Sequence, residues 1–351
     1  MAGRQASSVG ALLGKATGDR DARKFVAVGA ALGTGALAAK VVRDRLLSAR
    51  EDRRQFRLRD GEPVPDGIER IARGQLDMSI ERLDGHTGEE LGTAVHEARK
   101  SFKRLRATVR LARDELGDEV YRRENIAFRD AGRRLAGTRD SQVVLETLDA
   151  LSERYPSEAP RAGFVGFRET LAGEHAAAQR RLQDGAAVAE VVSELHQARG
   201  RVPAWPLQRE ALDSLAPGFK RIYWRGRGAY RNARREPSSE NLHELRKRVK
   251  DLWYAARIVR PASRKRMKGL ARAAHELSDL IGEEHDLAIL EERASEWRDR
   301  FDDERTVGKL GTLIERRRDE LRHEALRLGA RLFRKKPRKV ARPLAKSRIA
   351  A

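Results

Sequence analysis

From Phe56 onward, apolar residues recur at intervals of three and four rather than two, the spacing of amphipathic helices. Pro63 and Pro65 precede a first such stretch, with Ile68, Ile71, Leu76, Ile80 and Leu83 on one face. Thr87 with Glu90 forms a capping box ahead of a second helix, which fades at Gly117. Asp118 to about Leu151 carries one or two more, broken near Gly137. Pro156 and Pro160 mark a loop; Phe164–Gln183 and Ala187–Ala198 read as helices; Pro203 and Pro206 mark the middle of the chain. Pro217–Arg234 is helical again, Pro237 and Ser238 open a helix that Pro261 stops, and Arg264–Ile281, His285–Phe301 and Val307–Leu328 follow. No strand-length alternation competes, so the expected fold is all-α.

Two of these helices repeat one pattern. "AVHEARKSFKRLRATVRLA" (Ala94–Ala112) carries His96, Arg99, Lys100 and Lys103, and "NLHELRKRVKDLWYAARIV" (Asn241–Val259) carries His243, Arg246, Lys247 and Lys250. His96 and His243 are 147 residues apart; Asp140 and Asp286 are 146 apart. Two landmarks agreeing this closely indicate duplication, with a period too long for a solenoid. Two related helical bundles, repeat 1 over about 64–200 and repeat 2 over about 207–330, are the natural reading.

At 100° per residue, Arg99, Lys100, Lys103 and Arg110 fall within about 60° of His96. Ala98, Phe102, Leu105, Val109 and Ala112 fall near the opposite side. The second copy sets His243, Arg246, Lys247, Lys250 and Arg257 against Leu245, Val249, Leu252, Ala256 and Val259. Each helix is thus expected to anchor by one stripe and present a cationic stripe about 20 Å long. A lone charged stripe is usually a solvated face. Here the stripe occurs twice and contains no acid, with Glu97 and Glu244 off to its side. Like charges at such spacings repel, so the arrangement is costly unless an anion meets it. "YRRENIAFRDAGRRL" adds Arg122, Asn125, Arg129 and Arg133 on one side of its helix. "FKRIYWRGRGAYRNARR" supplies Arg221, Arg225 and Arg227, whose inward members spacing does not identify. Arg139–Asp140 and His285–Asp286 occupy matching places, and an Asp beside a base more often orients it or caps a helix than performs catalysis.

Charge distribution changes the picture. The net charge is +21, of which residues 1–50 hold +6 and residues 331–351 hold +9, leaving +6 for 51–330. The central region is nearly balanced, so its basic character must come from segregation onto faces. The tails suggest a polyanionic partner; the segregation suggests a specific anion site. Residues 1–54 read as a flexible basic segment. Phe25–Ala39 is apolar but has fifteen residues and three glycines, short of the roughly 20 that a spanning helix needs. Lys24 and Lys40 would allow a shallow membrane contact, but a Gly/Ala-rich linker is the simpler reading, and no cleavage motif marks a signal peptide. There is no cysteine, which removes disulfides and thiolate metal sites and is compatible with a cytoplasmic setting.

Taken together, "VHEARKSFKRLR", "YRRENIAFRDAGRRLAGTRDSQVVLETL", "NLHELRKRVKDLWY" and "LIGEEHDLAIL" resemble the CHAD family, the conserved histidine α-helical domain, over roughly residues 55–330. "FRLRDGEPVPDGIERIARGQLDMSIERL" and "PGFKRIYWRGRGAYRNA" fit it too. The resemblance implies two four-helix bundles related by a pseudo-twofold axis, with a basic central groove or pore lined by the His helices. It also implies binding of inorganic polyphosphate and association with polyphosphate granules. By position, the implied groove residues are His96, Arg99, Lys100, Lys103, His243, Arg246, Lys247 and Lys250, with Arg122, Arg129, Arg133 and Arg139 as additions. Two departures, Asp251 where the first repeat has Arg104 and Trp253 where it has Arg106, imply that the halves grip the ligand unequally. Arg suits bidentate phosphate contacts and Lys adaptable ones. Cations crowding His96 and His243 would depress their pKa values when no anion is bound, and a bound polyanion would reverse this.

Two other readings compete. The basic tails could hold nucleic acid without sequence preference, although no specific reader motif is present. A phosphohydrolase is the third reading, because His285–Asp286 resembles a metal-binding HD pair. The first repeat has Arg139 in place of that His, and no HExxH, no phosphate-binding loop and no ExExK triphosphate-tunnel signature occur. The expectation is a non-catalytic binder needing no cofactor or metal.

Overall fold

Val64–Leu83 (α1) begins immediately after Pro63, with Asp66 in its first turn and Arg82 in its last, charges that complement the helix dipole. Its buried residues include Val64, Ile68, Ile71, Leu76 and Leu83, one apolar face at helical spacing. In the computed structural model, ten further α-helices follow among the described residues, which are 56–85, 88–136, 138–158, 164–184, 186–296 and 304–346. They are Gly88–Leu111 (α2), Arg113–Arg134 (α3), Thr138–Arg154 (α4), Val165–Asp184 (α5), Ala187–Arg201 (α6), Ala216–Arg235 (α7), Ser239–Ile258 (α8), Arg264–Glu296 (α9), Glu304–Leu332 (α10) and Pro337–Lys346 (α11). Short 3-10 turns occupy Val202–Ala204, Leu212–Leu215 and Arg260–Ala262. No strand occurs among the described residues, and the fold is all-α.

The buried residues form two clusters, and neither follows the repeat boundary. The larger draws on α1, α2, α3, α6, α7 and α8, the first half of α9, the end of α10 and α11. The smaller joins Val144, Leu148 and Leu151 of α4 and Phe167 and Leu171 of α5 to Leu287 and Leu290 of α9 and Leu310, Leu313 and Ile314 of α10. Each cluster therefore takes helices from both repeats. Helix α9, 33 residues and about 50 Å long, runs through both: Met267, Ala274 and Ile281 sit in one, Leu287 and Leu290 in the other.

Three boundaries differ from the sequence reading. The gap expected between Ile281 and His285 is absent, and α9 is continuous there. Gly282 serves packing instead: a Cβ on it would come 3.2 Å from the Arg246 guanidinium. Helix α2 stops at Leu111, ahead of Gly117, which sits inside α3 at φ 72° and kinks it, a backbone shape that glycine takes without strain. The basic stretch after residue 330 is not a detached tail as far as 346. Helix α11 packs on α7, with Ala341 and Leu344 buried. Phe333 lies between Tyr223 and Tyr230, at centroid distances of 5.5 and 5.8 Å. The Tyr223 hydroxyl, 3.0 Å from the carbonyl oxygens of Leu332 and Lys335, donates toward them, and burial pushes its pKa up to about 12. Ser238 caps α8, accepting from the Asn241 N–H at 3.3 Å, as the sequence suggested. Thr87, the segment 25–39 and the rest of residues 1–55 lie outside the described residues.

The two repeats come into backbone contact where the start of α7 reaches the end of α2. A Cβ on Gly218 would overlap the Leu111 carbonyl oxygen, so no larger residue fits without moving backbone. Gly218→Ala is expected to lower the unfolding free energy by about 1–3 kcal/mol, read by urea denaturation. Deleting 331–351 removes Phe333, Leu344 and the acceptors of Tyr223, and is expected to cost at least ~3 kcal/mol. Exchanging exposed Arg338 and Lys339 for Ser should leave the same unfolding midpoint within error.

Candidate anion site on the His helices

Helices α2 and α8 pack on each other, and their faces divide as the wheel requires. Ala98, Phe102, Leu105, Val109 and Ala112 are buried, and so are Leu245, Val249, Leu252, Ala256 and Val259. Of the cationic stripes, His96, Arg99, Lys100 and Arg110 are half-buried and Lys103 is exposed; His243, Arg246, Lys250 and Arg257 are half-buried and Lys247 is exposed.

The stripes are not uncompensated, which corrects the sequence reading. Lys100 Nζ sits 2.6 Å from Glu97 Oε1, and Lys247 Nζ sits 2.5 Å from Glu244 Oε2. The same pairing across three positions recurs in both repeats. Glu97 also meets Arg82 at 3.5 Å, and Glu244 meets Arg248. On the wheel each acid lies only about 60° from its lysine, and two long side chains close that gap. Such half-exposed pairs contribute about 0–1 kcal/mol, so an incoming polyanion can displace the carboxylates at small cost.

Where the repeats meet, the Arg110 guanidinium of α2 donates to Asp251 of α8 at 2.7 Å. A small open pocket here is lined by Arg110, Arg113, Arg221, Arg225 and Arg248, with Tyr121 and Asp251. Asp251 also lies 3.7 Å from Arg248, Asp114 accepts from Arg221 at 2.6 Å, and Asp118 accepts from Arg113. Arg113 lies over the Tyr121 ring at 4.7 Å. Arg106, close by, reaches Asn125 Oδ1 at 3.4 Å. Burial, and then the neighbouring Arg110, lower its pKa to about 10, so it stays cationic at neutral pH and an anion would relieve it. Of the α7 arginines, Arg221 and Arg225 face this pocket, whereas Arg227 turns to the other flank and donates to the Phe333 carbonyl oxygen at 3.2 Å.

The mate of this junction under the 147-residue repeat is built differently. Arg257 corresponds to Arg110, and its partner position is 104, where Asp251 is replaced by Arg104. The two guanidiniums share one ring: Phe56 lies with Arg104 5.7 Å and Arg257 5.2 Å from its centroid. Trp253, the mate of Arg106, stacks on Tyr254 and lies 4.0 Å from the His275 ring, with Arg257 5.7 Å away. One junction is thus an arginine–aspartate pocket and the other an aromatic packing. The unequal halves expected from positions 251 and 253 have this structural form.

His243 sits against His285 of α9, ring centroids 4.6 Å apart. Its Nδ1 is buried without a hydrogen-bond partner among the described residues. Burial first, then His285, Lys247 and Arg246, push its pKa below 6.5. The expected direction holds, but solvent exclusion outweighs the cations that sequence reasoning invoked. His96 lies 4.0 Å from Glu97.

The remaining candidates are less central. Arg122 and Arg133 are exposed, and each meets an acid of its own helix, at 3.6 and 3.8 Å. Arg129 pairs with Asp130 at 2.7 Å. The Arg139 side chain lies outside the described residues. Arg106, Arg113 and Arg248 were missed. Arg106 and Arg248 fall off the stripe on the wheel, and Arg113 lies beyond the break at Ala112.

The CHAD domain family model matches residues 70–295. No curated protein matches the chain. Among the described residues no helix is long and apolar enough to cross a membrane.

The His243 imidazole should titrate below the usual range in an NMR pH series. Lys247→Ala should raise its pKa, and so should a saturating anion. Between the lower free value and the higher bound value, binding takes up a proton, so affinity rises as pH falls through that window and is flat outside it. Identical binding enthalpies in buffers of different ionisation enthalpy would contradict this.

Proposed function

The chain belongs to the CHAD family, a family associated with polyphosphate binding, and from that premise we propose that it binds inorganic polyphosphate through the His-helix stripes without catalysing its turnover. The observation that carries the reading is the convergence of Arg110, Arg113, Arg221, Arg225 and Arg248 on one pocket where α2 and α8 meet. A linear polyanion without bases needs a track of donors with no stacking platform, and the Lys and Arg of the two His helices supply donors of that kind. The acids along the track are Glu97 and Glu244 beside the lysines and Asp251, Asp114 and Asp118 beside the pocket arginines, fewer than the cations they face. Granule association would follow from the same contacts, with the protein held by the polymer it binds.

A nucleic acid at this site is the alternative; equal displacement of polyphosphate by duplex DNA at matched phosphate concentration would favour it. A phosphohydrolase is the other. His285 contacts His243 instead of completing a metal set, and among the described residues no three metal-binding side chains converge. Metal-dependent phosphate release by the purified protein, lost in His243→Ala, would establish catalysis instead.

Lys100→Ala/Lys247→Ala removes one cation from each stripe. In titrations with polyphosphate of several chain lengths it should weaken binding on the order of tenfold and shallow the dependence on salt, because fewer counterions are released. Equal affinities of the variant and the unaltered protein would remove the stripes from the site.

A further inference from the structure

The outer flank of α7, which borders the Arg110 pocket at Arg221, carries further cations. The helix holds seven Lys and Arg and no acid, and residues 331–346 hold eight and no acid. Trp224 lies on this flank, 58% exposed, the most exposed of the large apolar side chains among the described residues. Lys220, Arg221, Arg227, Arg231 and Arg235 fall within about 60° of it on the helix wheel, Arg221 on the side of the pocket. Lys220, Arg231 and Arg235 are exposed. Arg227 donates to Phe333 and Tyr223 to Leu332 and Lys335, which brings the segment bearing Arg334, Lys335 and Lys336 alongside the same flank. Those three, with Arg338, Lys339 and Arg342, are also exposed.

An exposed indole among cations suits a partner offering both an apolar face and negative charge. We propose that this α7 flank, with the adjoining 334–342 segment, binds single-stranded nucleic acid, with Trp224 stacking on an unpaired base and the surrounding Lys and Arg meeting the phosphates. A polyphosphate chain has no base, so Trp224 adds nothing to its binding. A duplex keeps its base faces stacked and out of reach. An anionic membrane would match the charge, but an interfacial helix buries a broad apolar face, and the apolar face of α7 is already spent on Phe219, Tyr223, Tyr230 and the core. Base–aromatic stacking with a positively charged track is the usual physics of sequence-tolerant single-strand binding. The inference does not depend on the polyphosphate reading, since it turns on Trp224, outside the pocket lining, and on a base that polyphosphate lacks.

The test measures the full chain and Trp224→Ala against dye-labelled oligothymidylate, an abasic oligonucleotide of equal length, polyphosphate, and vesicles of anionic phospholipid. Trp224→Ala is expected to weaken oligothymidylate binding on the order of tenfold, with abasic and polyphosphate affinities unchanged. Arg231→Ser/Arg235→Ser should weaken both oligonucleotides and shallow their salt dependence. Because Trp224 is exposed, its removal should leave the melting temperature in place. No loss on oligothymidylate, or an equal loss on the abasic strand, overturns the proposal. Loss on vesicles without loss on oligothymidylate assigns the flank to a membrane instead. Trp224-dependent strand binding by a protein that ignores polyphosphate would leave this inference standing while the proposed function fell.

Discussion

The backbone contact between Gly218 and Leu111 is the constraint on which the site depends. It lets the start of α7 abut the end of α2, the positive end of one helix dipole against the negative end of the other. One turn further along α7, Arg221 reaches Asp114, and a turn beyond that Arg225 enters the pocket with Arg110. Separate these two helices by the width of a methyl group and the arginines no longer converge. Positive charge from two repeats is held together by a glycine, with no charged partner of its own needed at the contact.

Electrostatics explains why the assembly tolerates this. Lys100 and Lys247 each meet a carboxylate on their own helix, and the pocket arginines share Asp251, Asp114 and Asp118. The lysine pairs and Arg221–Asp114 are partly exposed, so each stabilises the fold weakly and yields readily to a stronger anion; Arg110–Asp251 is largely buried and is held more firmly. The more deeply buried pairs lie elsewhere. Glu124 ties α3 to Arg201 of α6, and Glu284 joins α9 to Arg318 and Arg322 of α10. There the carboxylates are nearly inaccessible, and losing one partner would strand a buried charge. The most buried pairs hold the helices together away from the candidate site, and the exposed lysine pairs lie over it.

Much of the site was legible in the sequence because a helix wheel needs only local geometry. The buried faces of α2 and α8 follow from Phe102, Leu105, Val249 and Leu252 at helical spacing, and the Ser238 cap from its position before the pattern. What depended on reach or on packing was not legible. Glu97 looked displaced from Lys100 because the wheel tracks Cβ directions and ignores side-chain length. The Arg110–Asp251 contact joins residues 141 apart and needs the repeat-to-repeat packing before it exists. Gly282 looked like a helix break because a glycine that relieves crowding against Arg246 reads the same as one that ends a helix. The helix at Pro337–Lys346 was hidden by its charge, since a run of Lys and Arg masks the few apolar residues, Val340, Ala341 and Leu344, that dock it.

Division of the cores across the repeats also has a bearing on synthesis. Helices α4 and α5 emerge early, but the residues that cover their apolar faces, in α9 and α10, come more than a hundred positions later. At ordinary translation speeds that delay is on the order of ten seconds. During it Val144, Leu148, Phe167 and Leu171 have only the native cover that α4, α5 and α2 give one another. The nascent first half therefore exposes part of an apolar surface that the second half closes.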